Sequence, residues 1–264
     1  MRLKNIKLLL LAVLLLGSAG CVCRPGVVEH PGTAAVSREE LLSRIGERTR
    51  YWSSYQANVH IRGATAKGKF RLRAVILAQL PDLLRLEAFT PLGQTAGVLV
   101  FNPKGASLWI PSEQVVYQSK RAETLVKHFL GAPVPVETFG YSLVASLPPD
   151  LKVKELRPSQ AGSGWTISTE ESPGHLGFTW SLLSQPPAMK AVSVRQGPLD
   201  YTIGYEPATS LEPGQIPGEI RFVSSQWQME VKVDQMKPGP EIRSGAFDLS
   251  APAGIRRVRL SEAP

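Results

Sequence analysis

From residue 55 to residue 89 the chain switches between apolar and polar side chains at nearly every step. Tyr55, Ala57, Val59 and Ile61 alternate with Gln56, Asn58, His60 and Arg62. Phe70, Leu72, Ala74 and Ile76 alternate with Arg71, Arg73, Val75 and Leu77, and Leu84, Leu86 and Ala88 alternate with Arg85, Glu87 and Phe89. A strand turns successive side chains to opposite faces, so each run reads as a β-strand with one buried face. Further strand-like runs follow at 96–101, 106–110, 114–118, 152–156, 164–169, 176–183, 188–195, 201–205, 219–223 and 226–233, with a short one near Val258, for about a dozen strands in all. The 22 prolines and 23 glycines punctuate the chain densely, as short turns require. Neighbouring strands joined by tight turns predict an antiparallel meander whose curvature is closed or covered. No period of 20 to 50 residues recurs, which argues against a solenoid or propeller.

Three segments change to helical spacing. Ser37 and Glu40 form a capping-box pattern ahead of Leu41, Leu42, Ile45, Thr49 and Trp52, predicting a helix over about 38–52. A second helix is predicted from Ala122 to Leu130, stopping at Gly131 with Pro133 beyond. A third is predicted from Glu137 to Leu147, stopping before Pro148-Pro149. Leu125, Val126 and Phe129 share one face, as do Phe139, Leu143 and Leu147, so these helices are suited to covering a sheet. The class expected is mainly β, with a few amphipathic helices on a single domain over 37–264.

The first residues read differently. Arg2, Lys4 and Lys7 precede the apolar run Leu8–Leu16, and small residues Gly17, Ser18, Ala19 and Gly20 lead to Cys21. This order is that of a secretory signal over 1–20, and the apolar run is shorter than the roughly 20 residues that span a bilayer. A small-residue cleavage site ending at a cysteine resembles the lipobox of bacterial lipoproteins, although Ser18 stands where that pattern usually has leucine. The resemblance implies cleavage after Gly20 and lipidation of Cys21; an ordinary signal with a coincidental cysteine is the alternative. Val22, not aspartate, follows the cysteine, which in bacteria with the standard sorting rule favours the outer membrane. Residues 21–36 are rich in Pro and Gly and read as a lipidated flexible tether.

The net charge of +8 is scattered and accompanies no nucleic-acid motif, so no nucleic-acid partner is expected. Once Cys21 is lipidated only Cys23 remains, which excludes an internal disulfide and a cysteine-based zinc site. His30, His60, His128 and His175 are far apart in sequence, and no Gly-x-Ser-x-Gly elbow occurs. Glu170 and Glu171 are adjacent and would point to opposite faces of a strand end. Gly164 closes an Ala161-Gly-Ser-Gly turn with no phosphate-loop lysine after it. Catalytic residues, metals and cofactors are therefore none, and an enzyme is not expected.

Two further motifs carry a family resemblance. The strand Leu84-Arg85-Leu86-Glu87-Ala88-Phe89 runs into Thr90-Pro91-Leu92-Gly93. Leu130-Gly131-Ala132-Pro133-Val134-Pro135 precedes an amphipathic helix ending Ala145-Ser146-Leu147-Pro148. Behind a lipobox and in this order, they resemble the LolB family of outer-membrane lipoprotein receptors. The resemblance covers roughly 38–150; residues 151–200 look expanded relative to the family, and a related lipoprotein family shares the architecture.

The resemblance implies a LolA/LolB-like incomplete antiparallel β-barrel lidded by helices over an apolar cavity. It implies that Leu92, between Pro91 and Gly93, protrudes as a membrane-contact loop; turn chemistry alone leaves open a leucine folded back on its own domain. Acyl-binding candidates on the inward faces are Leu72, Ala74, Ile76, Leu84, Leu86, Val98, Val100 and Trp109, against the alternative of a filled core. The implied partners are membrane lipid, acylated lipoprotein cargo and a soluble periplasmic carrier, for a monomer on the periplasmic face of the outer membrane. A scaffold or envelope-assembly lipoprotein that binds protein partners through the same fold is the other reading.

Overall fold

Every alternating run forms a strand. The computed structural model describes residues 36–131, 136–149, 152–159, 164–169, 177–196, 199–243 and 245–261. The expected signal, Cys21, Cys23, His30, Glu170, Glu171 and His175 lie outside them, as does the expected tether apart from Val36. Described strands are β1 Ser54–Thr65, β2 Gly68–Gln79, β3 Leu83–Phe89, β4 Thr95–Asn102, β5 Gly105–Ile110 and β6 Val115–Ser119. They continue with β7 Val153–Pro158, β8 Gly164–Thr169, β9 Gly177–Ser184, β10 Pro187–Gln196, β11 Leu199–Ser210, β12 Glu219–Ser224, β13 Gln228–Pro238 and β14 Arg256–Arg259. Helices are α1 Arg38–Tyr51, α2 Ala122–Leu130 and α3 Val136–Leu143.

The strands form one open sheet of 14, in the order β14-β6-β5-β4-β3-β2-β1-β13-β12-β11-β10-β9-β8-β7. Each half is a run of hairpins, and the pairing of β1 with β13 joins the halves. All neighbours are antiparallel except β14 and β6, which are parallel. The final strand arrives by a long crossing rather than a hairpin, so it is free to run parallel. Most of the fold is thus the expected incomplete antiparallel barrel, with a parallel strand at one edge.

Register turns the alternation into a continuous inner face. Val59 pairs with Ala74, which pairs with Ala88; Ala57 pairs with Ile76, which pairs with Leu86. Ala57, Val59, Ala74 and Ile76 belong to one cluster, with Leu86 packed against it, that also takes Leu41 and Ile45 from α1, Leu125 from α2, Phe139 and Leu143 from α3, and Trp180, Phe222 and Val231 from the second half. Val36, expected in the tether, is buried there too. Burial of each large apolar side chain contributes about 1.5–3 kcal/mol, so this face dominates the drive to curl the sheet round its helices.

A smaller cluster occupies the opposite face of β2–β5. Val98, Val100 and Phe247 are buried together, with Leu77, Leu83, Trp109, Ile242 and Leu249 packed against them. The segment leading to β14 covers this patch, and Asn102 Nδ2 donates to the Phe247 carbonyl at 3.0 Å.

The helices start as their sequences dictate. Ser37 caps α1, its hydroxyl accepting from the Glu40 amide at 3.1 Å, while the Glu40 carboxylate takes Arg44 instead of closing the capping box. Gly131 ends α2 in the left-handed conformation at φ 72°. The third helix is shorter than expected. It stops at Leu143, the next residues fold into tight turns, and Ala145 takes φ 46°. The carbonyls released there are claimed by Arg48 of α1.

Candidate functional site

Arg48 is fully buried, and among the described residues it forms no ion pair with a carboxylate. Its Nε donates to the carbonyls of Val144 at 2.8 Å and Ala145 at 3.2 Å. Its Nη1 reaches Ser210 at 3.1 Å and Glu212 at 2.7 Å, and Nη2 reaches Gln215 at 2.7 Å. One guanidinium thus binds α1 to the end of α3 and to the loop after β11. Burial pushes Arg48 down to about 10, still charged at neutral pH. It follows Leu41 and Ile45 on the same buried helical stripe, a position normally apolar.

Three tyrosines from the wall hold α3. Tyr55 Oη on β1 donates to the Gly140 carbonyl at 2.8 Å, and Tyr205 Oη on β11 donates to the Ser142 carbonyl at 3.1 Å. Tyr201 Oη lies 3.0 Å from Thr138 Oγ1. Burial raises all three phenols well above the ordinary value of 10, so they remain neutral donors. Gly140 allows this close seating: a Cβ there would come within 2.7 Å of Leu80 Cδ2. By contrast α2 lies on the sheet through Leu125, Val126, Phe129 and Leu130, with Phe129 edge-on to Tyr117 at 4.8 Å and Lys67 Nζ donating to the His128 carbonyl.

Between α2 and the sheet lies a cavity of about 210 Å³ lined only by apolar residues. Its walls include Leu72, Leu84, Leu86 and Leu99 on the sheet, Phe129 on α2 and Phe139 on α3. The vacancy follows from side-chain size. Ala74, Ala88 and Gly97 pair in one row across β2, β3 and β4, where larger residues would reach the helix. Burial falls along the inner face towards one end: Ile76 and Ala74 are buried, Leu72 and Phe70 only partly; Leu84 is buried, Leu86 and Ala88 only partly. The cavity therefore opens at the end carrying the β1–β2 hairpin and the β3–β4 loop, opposite Arg48.

That loop is Pro91-Leu92-Gly93. The Gly93 amide donates to the Thr90 carbonyl at 2.9 Å and the Thr90 amide to the Gln94 carbonyl at 2.8 Å. Pro91 supplies the second turn position and Gly93, at φ 81°, the left-handed residue of a three-residue hairpin. Leu92 is carried outward and is 88% exposed.

Of the expected cavity residues, the structure brings Leu72, Leu84 and Leu86 to the walls. Ala74 and Ile76 lie on the same inner face but pack in the core rather than on the cavity surface. Val98, Val100 and Trp109 are on the opposite face: Val98 pairs with Glu87 and Trp109, and Val100 pairs with Arg85. Leu99 and Leu108, one residue away, line the cavity in their place, with Gly97. Gly97 was visible in the sequence: a glycine inside a strand marks a close approach or a space. His60 is exposed beside Asp234 at 3.3 Å, and His128 is exposed on α2. Among the described residues no three His, Cys, Asp or Glu side chains are grouped to hold a metal. None of the described helices is long and apolar enough to cross a membrane.

A family model described as outer membrane lipoprotein LolB matches residues 53–172. The outer-membrane lipoprotein LolB of Azoarcus sp. (strain BH72) is 36% identical over 90 residues, covering 32% of this chain and 46% of that protein. The chain thus spans about half the length of that curated relative. In fold, a DUF1329 family protein from Desulfovibrio piger superimposes with a TM-score of 0.55 at 6% identity, covering 79% of this chain and 97% of that one. A Vibrio parahaemolyticus domain named for outer membrane lipoprotein sorting gives 0.54 at 11% identity, covering 79% and 95%. A LolA superfamily protein from Nitrosomonas europaea gives 0.50 at 12% identity, covering 75% and 92%. Residues 53–172 are thus similar in sequence to the outer membrane lipoprotein LolB family, and the architecture resembles these solved structures over some four-fifths of the chain.

Proposed function

We propose that this protein is an outer-membrane lipoprotein, anchored through Cys21 on the periplasmic side, that takes the acyl chain of lipoprotein cargo from a soluble periplasmic carrier and passes it to the bilayer. The observation that carries this reading is a wholly apolar cavity opening beside an exposed leucine. A hydrocarbon tail needs a dry trough and a short path to lipid, and no bond is made or broken. The volume of about 210 Å³ lies below the ~300–1,000 Å³ common for small-molecule sites, so it holds a chain segment. A longer stretch enters as α2 shifts outward, since α3 is held by three tyrosines and Arg48 and α2 rests mainly on apolar contact. Leu92 gains about 1.5–3 kcal/mol on full burial, enough for reversible contact with a bilayer.

The test is saturable binding of a fluorescent fatty acid or an acylated peptide, competed by unlabelled chain. Absence of saturation removes the cavity from the mechanism. Leu92→Glu is expected to leave folding and acyl binding intact while impairing release into vesicles; unchanged release counts against the loop. The scaffold reading keeps the fold and predicts no acyl binding at all.

A further inference from the structure

Cations gather at the open end. Lys69, Arg71 and Arg73 alternate along the outer face of β2, about 6.8 Å apart at 3.4 Å per residue, and Lys67 stands at the tip of the β1–β2 hairpin. All four are exposed. Nearby carboxylates are engaged elsewhere: Glu230 with Arg62 and Arg221, and Glu87 with Arg85. Among the described residues Lys69, Arg71 and Arg73 have no ion-pair partner. Arg73 lies in register with Phe89, the last residue of β3. From there β2 runs on through Arg71 and Lys69 beside the loop that presents Leu92, and that loop, Thr90–Gln94, carries no charge.

We propose that this row is a docking collar for anionic phospholipid headgroups, holding the open end on a negatively charged patch of bilayer while Leu92 enters its apolar layer. The inference rests on the reading of Leu92 as a membrane contact and names the lipid chemistry beside it. An uncharged apolar tip flanked by cations matches the layering of an anionic interface, with hydrocarbon beneath phosphate. An acidic protein surface would pair with the cations but leaves the exposed leucine without a role. Each cation near such a surface contributes about 1 kcal/mol, roughly a fivefold change, so removing three changes docking about a hundredfold. The attraction weakens as the screening length drops below about 10 Å above 0.1 M salt.

The experiment uses the full lipidated chain in vesicles, with an environment-sensitive dye at Gln94→Cys in a Cys23→Ser background. Vesicles are phosphatidylcholine alone or with phosphatidylglycerol added. The expected result is a more than tenfold rise in the docked fraction ratio on adding phosphatidylglycerol, abolished by salt and by Lys69→Gln/Arg71→Gln/Arg73→Gln. Arg71→Lys/Arg73→Lys should retain the response, which separates charge from local structure. Equal dye burial on both lipids, unaffected by the triple variant, overturns the collar and leaves the Leu92 reading standing. A dye exposed on both lipids overturns both. A triple variant that loses only carrier-mediated transfer, with its lipid response unchanged, overturns the collar in favour of an acidic protein partner.

Discussion

Gly97→Leu tests the cavity from both sides, because it should make the protein more stable and less able to bind an acyl chain. Gly97 lies on the cavity wall in the row of small residues with Ala88 and Ala74. A Cβ at that position would meet the Trp109 carbonyl oxygen at 3.4 Å and Leu108 Cδ1 at 3.7 Å, both ordinary contacts. Four added carbons at about 0.8 kcal/mol each give about 3 kcal/mol of transfer free energy if they fill the void. Ordering the leucine removes about 0.5–1 kcal/mol, and replacing a flexible glycine in a strand returns about as much. The net of about 3 kcal/mol corresponds to a rise in Tm of about 6–12 °C for a domain of this size. The upper bound is set by the void itself: at about 24 cal/mol per Å³, a dry cavity of about 210 Å³ forfeits about 5 kcal/mol. Displacing two methylenes of a bound chain should weaken fatty-acid affinity at least tenfold. Thermal denaturation and fluorescent fatty-acid titration read the two effects. A drop in Tm would refute the reasoning, since overpacking a filled core destabilises by about 1–3 kcal/mol. A raised Tm with unchanged binding would place the acyl site elsewhere.

Other expectations concern the frame around the cavity. Arg48→Met should destabilise by about 3–5 kcal/mol in urea unfolding, because it strands the interior carbonyls that the guanidinium holds; Arg48→Lys should recover only part. The phenols of Tyr55, Tyr201 and Tyr205 have raised folded values, so the folded state holds their protons more tightly than the unfolded chain. Their contribution is complete below pH 10 and declines above it, and ultraviolet titration should show these tyrosines ionising together with unfolding. Phe247→Ala should cost about 3–5 kcal/mol by loosening the segment over the outer face, while fatty-acid binding on the inner face stays intact.

Local patterns in the chain were enough to place every described strand and the three described α-helices, apart from the early end of α3, and the reasons are short-range. Alternation, a Ser cap, a Gly stop and a Pro-Leu-Gly turn each act within a few residues, so Ser37, Gly131 and the turn at Leu92 do what their chemistry requires. On β2 and β3 Leu72 and Leu86 are flanked by Arg71, Arg73, Arg85 and Glu87, so their inward direction is legible in the sequence. The run Gly97-Val98-Leu99-Val100-Phe101 is different. Both of its faces are apolar because both are buried, one by α2 and one by the segment carrying Phe247, so parity could not be read from it. The buried place of Arg48 is not legible in the sequence for a related reason: a charged residue is a surface residue by default, and only five converging carbonyls make a buried one tolerable.

What the chain decided by itself was the set of elements and the turn at Pro91-Leu92-Gly93, because those depend on neighbours in sequence; that Leu92 points away from the domain is a property of the folded structure. The joining of β1 to β13, the face of β4 that turns inward and the empty space beside Gly97 were decided only in three dimensions. They depend on which distant surfaces come together and on whether their summed side-chain volumes fill the gap between them, and no local pattern records a volume.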